Sequence, residues 1–259
     1  MNTDYKLKDN VPLRPMEKND WFASWFDTNY YHLLYKNRND DEARLLIEHL
    51  VGYLNLAPNS KVLDLACGKG RHSITLNELG FDVLGIDLSS NSIEEAKQFE
   101  NETLHFDVCD MRNSFTKDRF DIVFNLFTSF GYFDNKSDNE KVIVAVQEML
   151  KNDGILVIDF MNSRRVINSL VESETKVVDP IEFKITRNYD GRHIFKHINF
   201  DDAGIKHSYT ERVQTLMLED FEALLTKNGF NILSTFGDFD LNGFQEETSD
   251  RLILVAKKK

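Results

Sequence analysis

Val62-Leu63-Asp64-Leu65-Ala66-Cys67-Gly68-Lys69-Gly70-Arg71-His72-Ser73 reads as a buried strand that runs into a glycine turn and then a helix. Glycine lets a backbone come close to a ligand, because it reaches positive φ and carries no Cβ atom. Gly68 and Gly70 are the two positions at which this chain has that freedom after the strand. A glycine pair there also serves many α/β proteins as a plain tight turn, so its meaning depends on what surrounds it.

Working outward, short apolar runs follow at 61–66, 82–88, 104–109, 121–127 and 154–160, with helical patterns between most of them. Strands separated by such short helical units are the crossovers of a parallel sheet, so the expected fold is α/β, a doubly wound, Rossmann-like sheet. After a helix that begins near residue 163, the pattern changes at about 175 to three alternating runs. These are broken at Asp190-Gly191 and at Asp201-Asp202-Ala203-Gly204, both hairpin signals. A helix over 218–228, ended by Gly229, then returns the chain to strands near 231–239 and 251–256.

Three segments result: an N-terminal helical and aromatic cover over 1–60, the main α/β unit over 61–174 and 217–259, and an antiparallel β insert over 175–216. The cover crowds Trp21, Phe22, Trp25, Phe26, Tyr30, Tyr31 and Tyr35 ahead of a helical pattern at 40–55. Aromatics at such mixed spacing either pack a helix down or form a lid over a ligand.

Composition bounds the function. The chain has 259 residues, 41% of them hydrophobic and 29% charged, with no long apolar run and no apolar leader, so the expected location is the cytoplasm and no membrane is involved. A formal charge of -12 speaks against nucleic acid as a partner, since that needs clustered cations. The run Lys257-Lys258-Lys259 reads as a solvated tail. Cys67 and Cys109 lack a CxxC partner and read as buried thiols.

Asp87 closes the second strand, 19 positions after Gly68, where a carboxylate can accept both hydroxyls of a ribose. Its other reading is a helix N-cap, a task Ser89 or Ser90 can also perform. Asp110 and Met111, after the third strand, set an acid beside a flexible apolar side chain, a pair suited to an adenine amino group and ring face.

In this order the motifs resemble the class I S-adenosylmethionine-dependent methyltransferase family over 61–259. The match rests on the glycine segment, Asp87, the Asp110-Met111 pair, Phe120-Asp121-Ile122-Val123-Phe124-Asn125 and the turn Leu150-Lys151-Asn152-Asp153-Gly154-Ile155-Leu156. The resemblance implies a seven-stranded, mostly parallel sheet with an antiparallel last strand, and S-adenosylmethionine as methyl donor, leaving as S-adenosylhomocysteine. It implies donor contacts at Asp64, Ala66, Gly68, Gly70, Asp87, Leu88, Asp110, Met111 and Asn125, with Asp64 ordering the loop. Tyr30, Tyr31, Tyr35 and Arg38 of the cover are placed to close over the donor. Tyr35 and Arg38 are then further donor contacts, Arg38 taking the donor carboxylate.

The insert resembles the extra sheet of small-molecule N- and O-methyltransferases, where it covers the acceptor or joins two copies in a homodimer. Its His193, His197, His207, Tyr209, Glu211 and Arg212 are candidate acceptor contacts or a solvated face, and strand alternation sets His197 and Asn199 opposite Ile198 and Phe200. Phe127, Phe130 and Tyr132 stand where related enzymes carry Asn-Pro-Pro-Tyr or Asp-Pro-Pro-Tyr, so a base or amide acceptor loses support and an aromatic pocket for a small molecule gains it.

Methyl transfer from a sulfonium requires alignment and exclusion of water. A base is needed where the acceptor arrives protonated, and Tyr132, Tyr209 and His197 are the catalytic candidates, with Glu211 beside them. The histidines show no metal-ligand spacing, and no metal is expected. Competing readings are a carboxy- or aminopropyl-type transferase using the same donor, a catalytically silent donor-binding domain, and an NAD-dependent oxidoreductase. The last asks for a third glycine where this chain has Ser73.

Overall fold

The computed structural model describes residues 21–36 and 40–259. Helices α1 (Trp21–Phe26), α2 (Asn29–Leu34) and α3 (Asp40–Leu54) precede the alternating unit β1 (Lys61–Leu65), α4 (Arg71–Glu78), β2 (Asp82–Asp87), α5 (Ser90–Ala96) and β3 (Leu104–Val108). Then come β4 (Phe120–Asn125), α6 (Lys136–Met149), β5 (Leu150–Met161) and α7 (Ser163–Asn168). The insert is β6 (Ser173–Val178), β7 (Ile181–Tyr189), β8 (His193–Asp202) and β9 (Ile205–Gln214), and α8 (Leu218–Lys227), β10 (Phe230–Phe236) and β11 (Arg251–Lys258) close the chain.

The main sheet has seven strands in the order β10-β11-β5-β4-β1-β2-β3. β1 to β5 pair in parallel, and β11 runs antiparallel to both β5 and β10. The winding reverses between β1 and β4, which opens a crevice beyond their carboxyl ends, where open α/β sheets bind ligands.

Alternation along each strand feeds two cores. Leu63, Leu84, Val123 and Leu156 face α6 and α8, against Val146 and Phe221. Val62, Val83, Ile122 and Val157 face the other way, against Leu46, Ile47 and Leu50 of α3 and Leu76 of α4. Both faces of every central strand are therefore apolar, the reason these segments read as continuous runs.

Two expectations are corrected. The insert has four strands, not three, because Asp179-Pro180 turns the chain between β6 and β7 and pairs Val178 with Ile181. The terminal lysines are not a solvated tail: Lys258 is buried in β11, its Nζ 2.6 Å from the Leu150 carbonyl and 3.1 Å from Asp118, and Lys257 pairs with Asp153 at 2.8 Å. Cys67 and Cys109 are both buried free thiols.

The third core joins the insert to the cover. Ile185, Ile198 and Phe200 on one face of the insert pack against Trp25 and Leu34 of α1 and α2. Trp25 is 1% exposed, and burying a tryptophan removes on the order of 200 Å² from water, worth about 5 kcal/mol. The two short helices are thus fastened to the insert by packing that neither could supply alone.

Candidate active site

The turn after β1 is built from left-handed backbone. Ala66 (φ 63) and Gly68 (φ 58) both lie in that region, and a Cβ on Gly68 would meet nothing within 4 Å. Gly70 (φ 83) differs, since a Cβ there would stand 2.5 Å from the Phe106 ring. Its glycine is demanded by packing on β3, and Gly70 does not line the cavity.

Asp87 fixes this turn from the neighbouring strand. Its Oδ2 accepts the Gly68 N–H and its Oδ1 the Ser89 N–H, each at 2.8 Å. A carboxylate has about four lone-pair positions, so acceptor capacity remains for a ribose hydroxyl. Burial pushes the Asp87 carboxyl up, and the backbone N–H groups of Ser89, Gly68 and Leu88 pull it back. The cap of α5 is Ser89, whose Oγ accepts the Ser92 N–H at 3.0 Å.

Asp64 lies beneath the turn, 1% exposed, accepting the Ser73 hydroxyl at 2.5 Å. Burial pushes its carboxyl up to about 6, against the Ser73 hydrogen bond, with Asp87 adding to the rise and Arg71 opposing it. Ser73, which stands where a dinucleotide fingerprint has glycine, is therefore occupied in orienting an acid.

After β3, Asp110 is gripped by Arg112, a partner the sequence reading missed. The carboxylate accepts Arg112 Nη2 at 2.6 Å, its Nε at 3.0 Å and its backbone N–H at 2.9 Å. Arg112 also reaches Asp138 at 3.3 Å and lies over the Phe133 ring at 4.8 Å. Asp110 is thereby fixed and partly committed before any ligand arrives, while Met111 beside it lines the cavity.

Asn125 ends β4 but stays behind the cavity wall. Its Nδ2 donates to the Leu65 carbonyl at 3.0 Å, tying the β4 end to the β1 turn, and its buried Oδ1 has no hydrogen-bond partner among the described residues. Phe127 and Tyr132 reach the cavity, whereas Phe130 packs into the core against Phe221.

These groups surround one cavity of about 450 Å³. Its floor includes Asp64, Ala66, Gly68, Asp87 and Leu88; Asp110 and Met111 stand on one side, and Phe127, Ser129 and Tyr132 on the other. The ceiling is the cover, with Phe22, Phe26, Tyr31, His32 and Tyr35. Of these the sequence reading carried Tyr31 and Tyr35 as closing residues, and the aromatic crowding at 21–35 was the available signal for Phe22 and Phe26. His32, Arg71 and His72 had no such signal; Arg71 lies over Phe127 at 4.2 Å and His72 beside it at 5.0 Å. Arg38 lies outside the described residues.

No residue of the insert lines the cavity. His197 is on the outer face, bonded to Thr210 at 2.9 Å and Asn188 at 3.1 Å, and Tyr209 stacks on Trp25 at 4.3 Å. The structure brings neither to the site. The insert acts through the helices it holds: Glu211 accepts the Trp25 indole N–H at 2.7 Å and the Tyr35 hydroxyl at 2.7 and 2.8 Å.

Comparison with known proteins gives a consistent result. The sequence profile described as methyltransferase domain matches residues 56–220. A glycine/sarcosine N-methyltransferase of Aphanothece halophytica is 31% identical over 209 residues, 76% of this chain and 76% of that one. Among solved structures, an S-adenosylmethionine-dependent methyltransferase of Clostridium acetobutylicum ATCC 824 superposes with TM-score 0.75 at 20% identity, covering 88% of this chain and 96% of that one. The S-adenosylmethionine-bound amino pentose methyltransferase CalS10 of Micromonospora echinaspora superposes with TM-score 0.68 at 18% identity, covering 90% and 98%.

Proposed function

Because the chain belongs to the S-adenosylmethionine-dependent methyltransferase family, we propose that it methylates the nitrogen of a small amine held under the α1–α2 ceiling. The donor brings a methyl group already activated on a sulfonium. We assign Asp87 to its ribose hydroxyls, Leu88 and Met111 to its adenine, and the Ala66–Gly68 turn to its methionine end. The open space at Gly68 and the spare lone pairs of Asp87 are what fit this donor.

The observation that carries the acceptor class is the ceiling itself. A cavity of about 450 Å³ under aromatic rings suits a ligand of drug-like size. The rings of Phe26, Tyr31 and Tyr132 favour a cationic or sulfonium centre and exclude water from the transfer. Tyr132, which lines the cavity, is fixed by donating its hydroxyl to the Thr128 carbonyl, and we assign it to contact with the acceptor nitrogen. A relative named for glycine and sarcosine methylation supports nitrogen as the nucleophile. The two buried free thiols suit a reducing compartment, and we place the reaction in the cytoplasm.

Incubation with S-adenosylmethionine and a panel of small primary and secondary amines, glycine and sarcosine among them, tests this reading. Formation of S-adenosylhomocysteine with an amine, lost in Tyr132→Phe by about tenfold or more, is the expected result. Turnover confined to phenols or carboxylates would overturn nitrogen as the acceptor.

A further inference from the structure

Two consecutive non-glycine residues after β4 stand in the left-handed region, Phe127 at φ 56 and Thr128 at φ 61. For a β-branched residue such as Thr128 this conformation is a true outlier, and it persists only where the surroundings impose it. What imposes it is one buried acid. Asp159, near the end of β5 and 0% exposed, accepts the Phe127 N–H on its Oδ2 at 2.8 Å, and its own carbonyl accepts the Thr128 N–H at 2.9 Å. Its Oδ1 accepts Arg251 Nε at 2.7 Å, and Arg251 Nη2 donates to the Thr128 hydroxyl at 3.0 Å. Arg251 opens β11, the strand antiparallel to β5. Neither Asp159 nor Arg251 lines the cavity.

The consequence falls on the cavity wall. With its N–H drawn toward β5, Phe127 turns its ring to the cavity side, between Arg71 at 4.2 Å, His72 at 5.0 Å and Phe239 at 5.5 Å. Ser129 and Tyr132 follow directly and also face the cavity, and the Thr128 carbonyl receives the Tyr132 hydroxyl. We propose that Asp159, locked by Arg251, is a positioning residue for the donor site: it holds the Phe127–Thr128 backbone left-handed and so sets the wall formed by Phe127, Ser129 and Tyr132. A carboxylate paired with a guanidinium suits the task because charge-assisted hydrogen bonds are stronger than neutral ones, and the guanidinium fork spans the carboxylate and the Thr128 hydroxyl, tying the acid to the strained residue.

The proposal rests on the cavity being the donor site, and calorimetric titration with S-adenosylhomocysteine keeps the two apart. Wild-type protein that fails to bind overturns the donor site and this proposal with it. With binding established, Asp159→Asn weakens it by about tenfold or more, as expected for loss of a charge-assisted contact. Arg251→Lys, which keeps the charge and loses the fork, weakens it less. Adding Thr128→Gly to Asp159→Asn restores binding to within about threefold of wild type, because glycine adopts φ 61 without a clamp. A purely structural role for Asp159 gives no such rescue, so equal weakness of single and double variants overturns the proposal, as does wild-type binding by Asp159→Asn. Should Asp159→Asn fail to fold, Arg251→Lys with and without Thr128→Gly carries the same comparison, with the same two outcomes.

Discussion

Asp64 shows how one buried carboxyl couples stability to ligand. Burial pushes it up to about 6, from an ordinary 3.8. The neutral form is therefore favoured in the fold, so its contribution to stability is complete below pH 3.8 and is lost as pH rises through about 6. At 1.36 kcal/mol per pH unit, the ionised carboxyl costs about 3 kcal/mol by pH 7. A cation placed in the cavity offsets part of that cost. Titration with S-adenosylmethionine at pH 6, in two buffers of different ionisation enthalpy, is predicted to release protons, and S-adenosylhomocysteine, which lacks the sulfonium charge, to release fewer. Equal release by the two ligands would mean that Asp64 does not sense the sulfonium.

The two glycines of the turn separate in the same way. Gly70→Ala drives a methyl group into Phe106 at a left-handed position and is predicted to lower stability in urea by about 2–4 kcal/mol. Gly68→Ala meets open space, so only the left-handed penalty of about 1–2 kcal/mol applies, and its larger effect is on S-adenosylhomocysteine affinity. The reverse ranking in stability would contradict this division. A glycine turn after β1 was legible, but that Gly70 answers to Phe106, 36 positions along, was not, because local sequence does not reveal which ring packs on a turn.

At the scale of elements, the cover is held closed by the insert. Glu211 takes hydrogen bonds from Trp25 and Tyr35, Lys196 donates to the Tyr35 hydroxyl, and Tyr30 donates to Asp202 at 2.8 Å. Asp27, between α1 and α2, fastens the other side by accepting from Ser89 and Asn91 beside the Asp87 turn. Glu211→Ala removes the acceptor of the Trp25 indole N–H and of the Tyr35 hydroxyl, at a cost of about 1–3 kcal/mol. It is predicted to speed tryptic cleavage after the exposed Lys36 and to weaken S-adenosylhomocysteine binding. Unchanged digestion and affinity would show that the ceiling stays down without the insert.

The hairpins of the insert could be read from Asp-Gly and Ala-Gly turns, whereas the strand before Pro180 escaped because an exposed edge strand, Ser173–Val178, shows little alternation. The partnership of Glu211 with Trp25, 186 positions away, had no local trace. Alternation correctly put His197 opposite Ile198, but it could not say which face the cover would take.

For the whole molecule, the doubly wound class of the main sheet was legible because strands buried on both faces leave dense apolar runs, with the glycine turn after β1 and an acid closing β2 beside them. The wall after β4 was illegible for the opposite reason. Phe127 and Thr128 adopt a conformation their side chains disfavour, imposed by Asp159 and Arg251 from strands that follow much later in the chain. Arg112 escaped for a simpler cause, since an arginine two residues from an acid is ordinarily a surface residue, and only burial makes it a clamp.

The account depends most directly on the cavity holding the methyl donor with Asp87 on its ribose. Calorimetric titration of the purified protein with S-adenosylhomocysteine, beside Asp87→Ala and beside NADH, measures this. The predicted result is micromolar binding, roughly -8 kcal/mol, weakened by about tenfold or more in Asp87→Ala, with no heat from NADH. A folded protein that ignores S-adenosylhomocysteine, or binds it equally well without the Asp87 carboxylate, would contradict it.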